Sequence, residues 1–556
     1  MQSKPLSEYP RPQLQRDSYL SLNGLWDYKI QKNGEIPNDF DGKILVPFSP
    51  ETVASGVNRK VGPDEYLFYR LTFSLEPSFI NDKVLLHFLA VDQIADVYLN
   101  GKYLGQHIGG YLPFEFEIKD LLLDENELVV RVRDKTDLNS LSRGKQKIER
   151  GGIWYTPQSG IYFPVFIESV SNDYIQNIKF TPDIDAQEIR ILVNSTADKI
   201  KVGFEHETYE IESNKETVIK IKDLKLWSPE TPYLYDVVLE TPGDKVKSYF
   251  AMRKISKIEH NGHLVLALNN KPYFMNGVLD QGYYKNGLYT PESYEEYIKD
   301  IELVKSLGFN TIRKHIKIEM LRWYYECDKR GVLVWQDFIN GGGKYKFSTI
   351  AFPLIMGIHH NDTNYKKFAR ENQPGRDFAR QEFKDTINYL YNVPSIVLWT
   401  IFNEGWGQFD SKEIYNEVSK LDNTRLYDHA SGWHDQGVSD VKSLHVYFKK
   451  VKLPKPEKER STILSEFGGF LYPIEGHMVE GKKTYKAFKD EDDWLKNFEE
   501  CINRDVINNI QNGLAASIYT QLSDVEDELN GFVTFDREVV KVEPKKIKNI
   551  LEKVHF

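Results

Sequence analysis

An apolar run, Ser395-Ile-Val-Leu-Trp-Thr-Ile-Phe402, breaks directly into Asn403-Glu404. A short run of this kind, rich in β-branched and aromatic residues, reads as a buried strand. It leaves a carboxylate at a strand end, where much of its solvation is lost at a cost that something must offset. Thr462-Ile-Leu-Ser465 repeats the pattern and closes on Glu466, which Phe-Gly-Gly follows. Few architectures accept two such ends. In a closed parallel α/β barrel the strand C-termini converge on one mouth, so carboxylates there can face one another. Facing carboxylates suit glycoside hydrolysis, in which one protonates the leaving oxygen and the other attacks or activates water.

The rest of the chain agrees with a barrel only from about residue 260 onward. Pro272–Leu279, Phe309–His315, Val332–Phe338, the run ending at Glu404, Leu426–His429, Ser443–Tyr447, the run ending at Glu466, and Ala515–Thr520 all read as strands. Helical patterns separate several of them. One carries Tyr294, Ile298, Ile301, Val304 and Leu307 near one face and stops at Gly308, a residue that readily takes the left-handed conformation ending many helices. Another, Lys545 to Val554, would close the ring. Eight strands interleaved with helices over roughly 300 residues is the size of a (β/α)8 barrel. An open doubly wound sheet would call for a Gly-rich phosphate loop, and none is present.

Before residue 260 the patterns are those of half-buried antiparallel strands, as in Glu127–Arg133 and Val218–Lys222, with turn signals such as Asn23-Gly24, Asn100-Gly101 and Pro242-Gly243 between them. Short strands with regular turns suggest sandwiches. The segment is too long for one, and Ser171-Asn-Asp punctuates it. The expected organisation is therefore multidomain: a jelly-roll-like β-sandwich over 1–172, an immunoglobulin-like β-sandwich over 173–259, and a C-terminal TIM barrel over 260–556. A chain of 556 residues is long enough for about three or four domains.

Composition removes several function classes. A net charge of −10 implies no basic face for nucleic acid. The run Arg143-Gly-Lys-Gln-Lys-Ile-Glu-Arg150 is short and interrupted, and reads by default as a solvated loop. Only Cys327 and Cys501 occur, in no metal-ligand spacing, and no cofactor motif is evident. The first residues lack the apolar region of a signal peptide, so the expectation is a cytoplasmic chain without a membrane segment. Self-association is left open.

At this point the sequence resembles glycoside hydrolase family 2, the family of β-galactosidases, β-glucuronidases and β-mannosidases, over nearly its whole length. Arg11-Pro-Gln, Leu22-Asn-Gly-Leu-Trp26, Val97–Gly105 and Gly109-Gly-Tyr111 are similar to the family's sugar-binding-type sandwich. Leu226-Trp-Ser-Pro-Glu-Thr-Pro-Tyr-Leu-Tyr235 is similar to the end of its immunoglobulin-like domain. Asn392–Trp399 with Asn403-Glu404 matches the acid/base signature, and Asp328-Lys-Arg-Gly331 with Val332–Trp335 the tail of the other signature. There are departures. The family's Arg-x-x-His-Tyr-Pro stands here as Arg313-Lys-His315-Ile-Lys317, one residue shorter. Tyr519-Thr520-Gln521 replaces the tryptophan after the eighth strand. No lysine stands near Asp527–Gly531, where the glucuronidases' Asn-x-Lys carboxylate clamp belongs.

The resemblance implies roles. Glu404 is the expected general acid/base and Glu466 the nucleophile. Asn403 would bind the sugar 2-hydroxyl, Tyr447 would donate to Glu466, and Arg313 would pair with the nucleophile. His315, Asp280 and His445 are further substrate-pocket candidates. The implied activity is that of a retaining exo-β-glycosidase acting on a carbohydrate, with β-galactosidase as the leading reading. One alternative is a β-uronidase reading its substrate through Lys314, Lys317 or the Arg143 loop. A second is a carbohydrate-binding protein with an inactive barrel. The long 340–376 connection, with Gly341-Gly-Gly343 and His359-His360, has the length of a rim or lid.

Overall fold

The computed structural model describes residues 4–351, 353, 357–447, 449–479 and 487–556. Residues 352 and 354–356 of the 340–376 connection are therefore outside the described residues. Eight parallel strands form one sheet: β1 (Met275–Asp280), β2 (Thr311–Lys314), β3 (Leu333–Asp337), β4 (Ile396–Thr400), β5 (Leu426–Asp428), β6 (Val441–Val446), β7 (Ser461–Gly468) and β8 (Leu514–Thr520). Each pairs with its sequence neighbour except β5 with β6, and β1 pairs with β8, so the order runs around a barrel. The seam between β5 and β6 is bridged by Asp440, whose N–H donates to the Tyr427 carbonyl (3.1 Å) and whose carboxylate accepts from the Tyr427 N–H (2.9 Å).

Helices α1 (Tyr294–Ser306), α2 (Leu321–Arg330), α3 (Gln373–Leu390), α4 (Ser411–Val418), α5 (Glu491–Cys501) and α6 (Pro544–Leu551) surround the strands. In α1 the predicted face holds for Tyr294, Ile301 and Val304, which are buried, while Gly308 takes φ +91° just past the helix end. All eight expected strands are present. The apolar runs owe their composition to burial on both faces, as in parallel sheets generally.

Two antiparallel sandwiches precede the barrel. In the first, a six-stranded sheet faces a four-stranded one across Trp26, Leu67, Tyr69, Leu86, Val97, Val130 and Ile167. In the second, a three-stranded and a four-stranded sheet enclose Ile189, Ile191, Val202, Val237, Leu239 and Phe250. A hairpin, Ile255–His260 with His263–Leu268, then plugs the N-terminal end of the barrel. Its Val265, Leu266 and Leu268 pack with Leu333, Val397, Ile463 and Ala515.

The two sequence signatures outside the catalytic strands serve as anchors between these layers. Trp227 Nε1 donates to the Asp328 carbonyl (2.8 Å), and the buried Asp328 carboxylate accepts from the Tyr249 hydroxyl (2.7 Å) and the Ser395 N–H (2.8 Å). Arg253 donates to the carbonyls of Pro394, Ile396 and Thr424 at 2.8–2.9 Å. Gly331 ends α2 at φ +70°, and a Cβ there would lie 2.5 Å from the Pro229 carbonyl oxygen. The Trp-Ser-Pro and Asp-x-x-Gly patterns are thus two sides of one close contact.

Gly331→Ala should therefore lower the first thermal unfolding midpoint markedly, by an amount equivalent to about 2 kcal/mol or more. Gly262→Ala, also at positive φ (+80°) but with nothing within 4 Å of the new Cβ, should cost only about 1 kcal/mol. Equal shifts in scanning calorimetry would exclude the close contact as the reason for glycine at 331.

Candidate active site

The C-terminal ends of β2, β3, β6, β7 and β8 and the turn after β4 deliver one connected polar cluster. Arg313 of β2 is its hub and is 0% exposed. Its Nε and Nη2 donate to the two oxygens of Asp337 (3.0 Å each), and Nη2 also donates to Asn403 Oδ1 (2.8 Å). Its Nη1 donates to the Ser465 carbonyl (3.2 Å) and to Glu466 Oε1 (3.1 Å). Every N–H of the guanidinium is used, which the flexible single ammonium of lysine could not reproduce.

Glu466 also accepts from the Tyr447 hydroxyl (2.6 Å), which is itself 3.0 Å from Thr520 Oγ1 on β8. Burial pushes the Glu466 carboxyl up, but the Arg313 guanidinium, the Tyr447 hydroxyl and, in their protonated forms, His445 and His315 outweigh it and hold it below the usual range. Glu404 is shifted the other way. Burial, reinforced by the charge of Glu466, raises it, although a hydrogen bond donated by His445 would oppose that rise. Opposite shifts on neighbouring carboxyls separate an acid from an ionised partner at one pH.

Glu404 lies in a turn rather than on its strand. Its φ of +50° is in the left-handed region, a conformation that costs a non-glycine residue about 1–3 kcal/mol and clusters at functional sites. The turn is held by Glu404 N–H donating to the Ser431 carbonyl (2.9 Å) and Trp433 Nε1 donating to the Glu404 carbonyl (2.9 Å). The Glu404 side chain remains 13% exposed, enough for contact with a ligand in the mouth. One carboxylate oxygen each of Glu404 and Glu466 and a ring nitrogen of His445 all lie within 4.8 Å of one another. That trio could also hold a divalent cation, but the Arg313 guanidinium 3.1 Å from Glu466 competes for the same carboxylate.

Asn403 has its Oδ1 committed to Arg313, which fixes the direction of the amide. Its Nδ2 is buried and without a partner among the described residues, a donor aimed where a ligand oxygen could accept. His315 Nδ1 lies 2.9 Å from Asp337 Oδ2, and its ring meets Trp406 edge-on at 6.0 Å. Asp280 is turned to a different task. Its carboxylate accepts from Lys314 Nζ (2.6 Å) and the Gly282 N–H (2.8 Å), and Lys314 continues to Glu319 (2.9 Å).

Three expectations change. Lys314 and Lys317, considered as binders of a uronate carboxylate, are fully buried in that network, with Lys317 donating to Glu319 (2.7 Å) and to the carbonyls of Gly282 and Tyr289. The Arg143–Arg150 segment is no solvated loop: Arg143, Lys145 and Gln146 are buried. Arg143 donates to the Gly342 and Gly343 carbonyls, Lys145 pairs with Glu528 (3.2 Å), and Arg150 pairs with Glu526 (3.3 Å) and Asp527 (3.1 Å). The charges of Lys145 and Arg150 are matched by the acidic loop after β8, whereas Arg143 is held by backbone carbonyls; neither contact is visible from local composition. Asp337 was absent from the candidate residues, although it too closes a buried apolar run, as Glu404 and Glu466 do.

Family models match most of this chain. "Glycosyl hydrolases family 2, TIM barrel domain" covers residues 260–555, "Glycosyl hydrolase 2 galactose-binding domain-like" 57–157, and "Glycosyl hydrolases family 2" 170–253. Among curated proteins, a beta-galactosidase of Thermoanaerobacter pseudethanolicus is 25% identical over 82% of this chain and 62% of its own length. A putative beta-glucuronidase of Formosa agariphila is 26% identical over 57% of this chain and 37% of its own. The chain thus spans between about a third and two thirds of the length of these relatives. Among solved structures, a beta-D-glucuronidase from Dictyoglomus thermophilum superposes with a TM-score of 0.77 at 18% identity, covering 99% of both chains. A beta-galacturonidase from Eisenbergiella tayi gives 0.73 at 18% identity, covering 99% of this chain and 100% of that one. With the barrel model alone matching more than half of its residues, the chain belongs to glycosyl hydrolases family 2.

Proposed function

We propose that this protein is a retaining exo-β-glycosidase that removes one neutral sugar, a β-galactoside first, from a non-reducing end. The observation that carries the reading is the separation of Glu404 and Glu466. Carboxylate oxygens within 4.8 Å suit the roughly 5–5.5 Å spacing of carboxyl groups in a double displacement better than the roughly 6.5–9.5 Å of an inverting enzyme. In the first step Glu466 attacks the anomeric carbon while Glu404 gives its proton to the glycosidic oxygen. In the second, Glu404 takes a proton from water as that water displaces Glu466. Arg313 and Tyr447 keep Glu466 ionised and aimed. Asn403 Nδ2 supplies a donor for the sugar 2-hydroxyl, a contact that strengthens in the oxocarbenium-like transition state.

The preference for a neutral sugar rests on charge pairing. Among the described residues at the mouth, Arg313, Lys314, Lys317, Lys145 and Arg150 each face an acid of this chain. A uronate read by any of these five would have to displace its partner and leave a buried or half-buried carboxylate unpaired, which is costly. The curated relatives carry both beta-galactosidase and putative beta-glucuronidase names, so the choice rests on the charge pairing. The uronidase reading keeps one foothold in Lys145, which lies 5.9 Å from the Trp406 ring and within electrostatic reach of Glu404. An inactive barrel fits poorly with a nucleophile position so completely furnished with Arg313 and Tyr447.

On a panel of 4-nitrophenyl β-glycosides, turnover of the β-galactoside should exceed that of the β-glucuronide and β-galacturonide. A uronide preference would replace this reading with the Lys145 one. Glu466→Gln should lower kcat on every substrate by at least about a thousandfold.

For wild type, kcat/KM should be bell-shaped in pH. Its acid limb, from protonation of Glu466, should lie below the ordinary carboxylate range. Its alkaline limb, from loss of the Glu404 proton, should lie above it. An alkaline limb that persists unchanged in Glu404→Gln would remove Glu404 from the acid role.

A further inference from the structure

His445 ends β6 with its side chain fully buried, and both ring nitrogens are engaged. Nδ1 lies 2.9 Å from Glu404 Oε1. Nε2 lies 2.9 Å from Ser431 Oγ and 3.6 Å from Glu466 Oε1. The ring is closely packed. A Cβ on Gly432 (φ +92°) would come within 2.8 Å of Nδ1, and Trp433 meets the ring edge-on at 5.6 Å. The contact to Glu404 is therefore built into the backbone, and the direction of its proton decides what it does.

The serines around Nε2 bear on that direction. Ser431 Oγ is placed to donate to Ser465 Oγ (3.0 Å), and Ser465 to donate to the Leu444 carbonyl (3.3 Å). Ser443 contacts both Ser431 and Ser465 and reaches Asp428. A hydroxyl has one hydrogen. With that of Ser431 spent on Ser465, its oxygen is left to accept from Nε2–H, so neutral His445 presents Nδ1 as an acceptor. The group facing Nδ1 must then be the donor, and it is the Glu404 carboxyl.

We propose that His445 is a positioning residue that accepts the acid proton of Glu404 at Nδ1, with its tautomer set by Ser431 and Ser465. The proposal rests on the reading of Glu404 as acid/base. Before glycosyl transfer, Glu404 O–H donates to Nδ1 and is stabilised as the acid. Once that proton has gone to the leaving oxygen, a carboxylate faces a ring nitrogen lone pair. This juxtaposition of two acceptors favours recovery of a proton from the incoming water. The charged and titratable groups around the pair are Glu466 on β7, Asp428 on β5, Arg313 on β2, His315 just after it and Lys145 from the first sandwich; Arg313 is already neutralised by Asp337 and Glu466, and Lys145 by Glu528.

The test compares His445→Phe with wild type on two β-glycosides of the preferred sugar, one with an alkyl leaving group that needs an acid and one with 2,4-dinitrophenolate, which does not. Loss of the acceptor should lower kcat/KM for the alkyl glycoside by about tenfold or more, leave the dinitrophenyl glycoside within about threefold, and move the alkaline limb to lower pH. Equal losses on both substrates with unmoved limbs would make His445 merely structural and overturn the proposal. An alkaline limb moving up would overturn it too, since His445 would then have been donating.

Ser465→Ala, which frees the Ser431 hydrogen to turn toward Nε2, should act in the same direction more weakly. Nitrogen-15 NMR of labelled histidine in wild type, with His445→Phe for assignment, should show the Nε2–H tautomer, and Nδ1–H would overturn the proposal. Full activity of Glu404→Gln on the alkyl glycoside would instead refute the acid/base assignment itself.

Discussion

A single buried guanidinium organises the mouth of the barrel. Arg313 has left water completely, and a charge so placed is tolerated only when paired and hydrogen-bonded on all sides. Its partners come from three other places in the chain: Asp337 on β3, Asn403 after β4, and Ser465 with Glu466 on β7. Satisfying Arg313 therefore sets the positions of both Glu466 and the Asn403–Glu404 turn. The geometry that chemistry would use is a consequence of the geometry that burial demands. Truncating Asp337 would leave a half-paired buried cation, so this acid supports the site through Arg313.

Around that hub the two carboxyls are driven apart by their surroundings. Glu466 is ringed by cationic and hydroxyl donors, whereas Glu404 meets burial and the negative charge of its neighbour. Each carries the same functional group, and only the environment decides which one holds its proton more tightly. The serine cluster and His445 add a further level, in which the placement of a few hydroxyl hydrogens bears on which way a proton points.

The first sandwich contributes to the mouth rather than merely accompanying the barrel. Lys145 and Arg150 neutralise Glu528, Glu526 and Asp527, and the Tyr155 hydroxyl donates to Glu528. An acidic loop takes the place where a carboxylate-reading lysine was sought, and its charge is matched from another sheet. The charge at this edge of the mouth is thus tied to a contact between layers.

Much of this was legible from residues alone. Buried runs that end in carboxylates announced a parallel barrel and its paired acids, because only strand ends at a common mouth make such runs tolerable; all eight strands stand where the periodicity put them. Glu404, Glu466, Asn403, Tyr447, Arg313, His315 and His445 come together in one cluster, whereas Asp280 joins a separate ion-pair network with Lys314. Asp337 escaped notice although its run had the same form, since nothing local says which strand-end acid meets an arginine. Burial preference and periodicity act along the chain and are written there. Pairings such as Lys145 with Glu528, the direction of the Asn403 amide and the fixed ring of His445 depend on groups hundreds of residues apart or on a backbone glycine beneath a ring. Those were decided only when the folded barrel brought them within hydrogen-bonding distance.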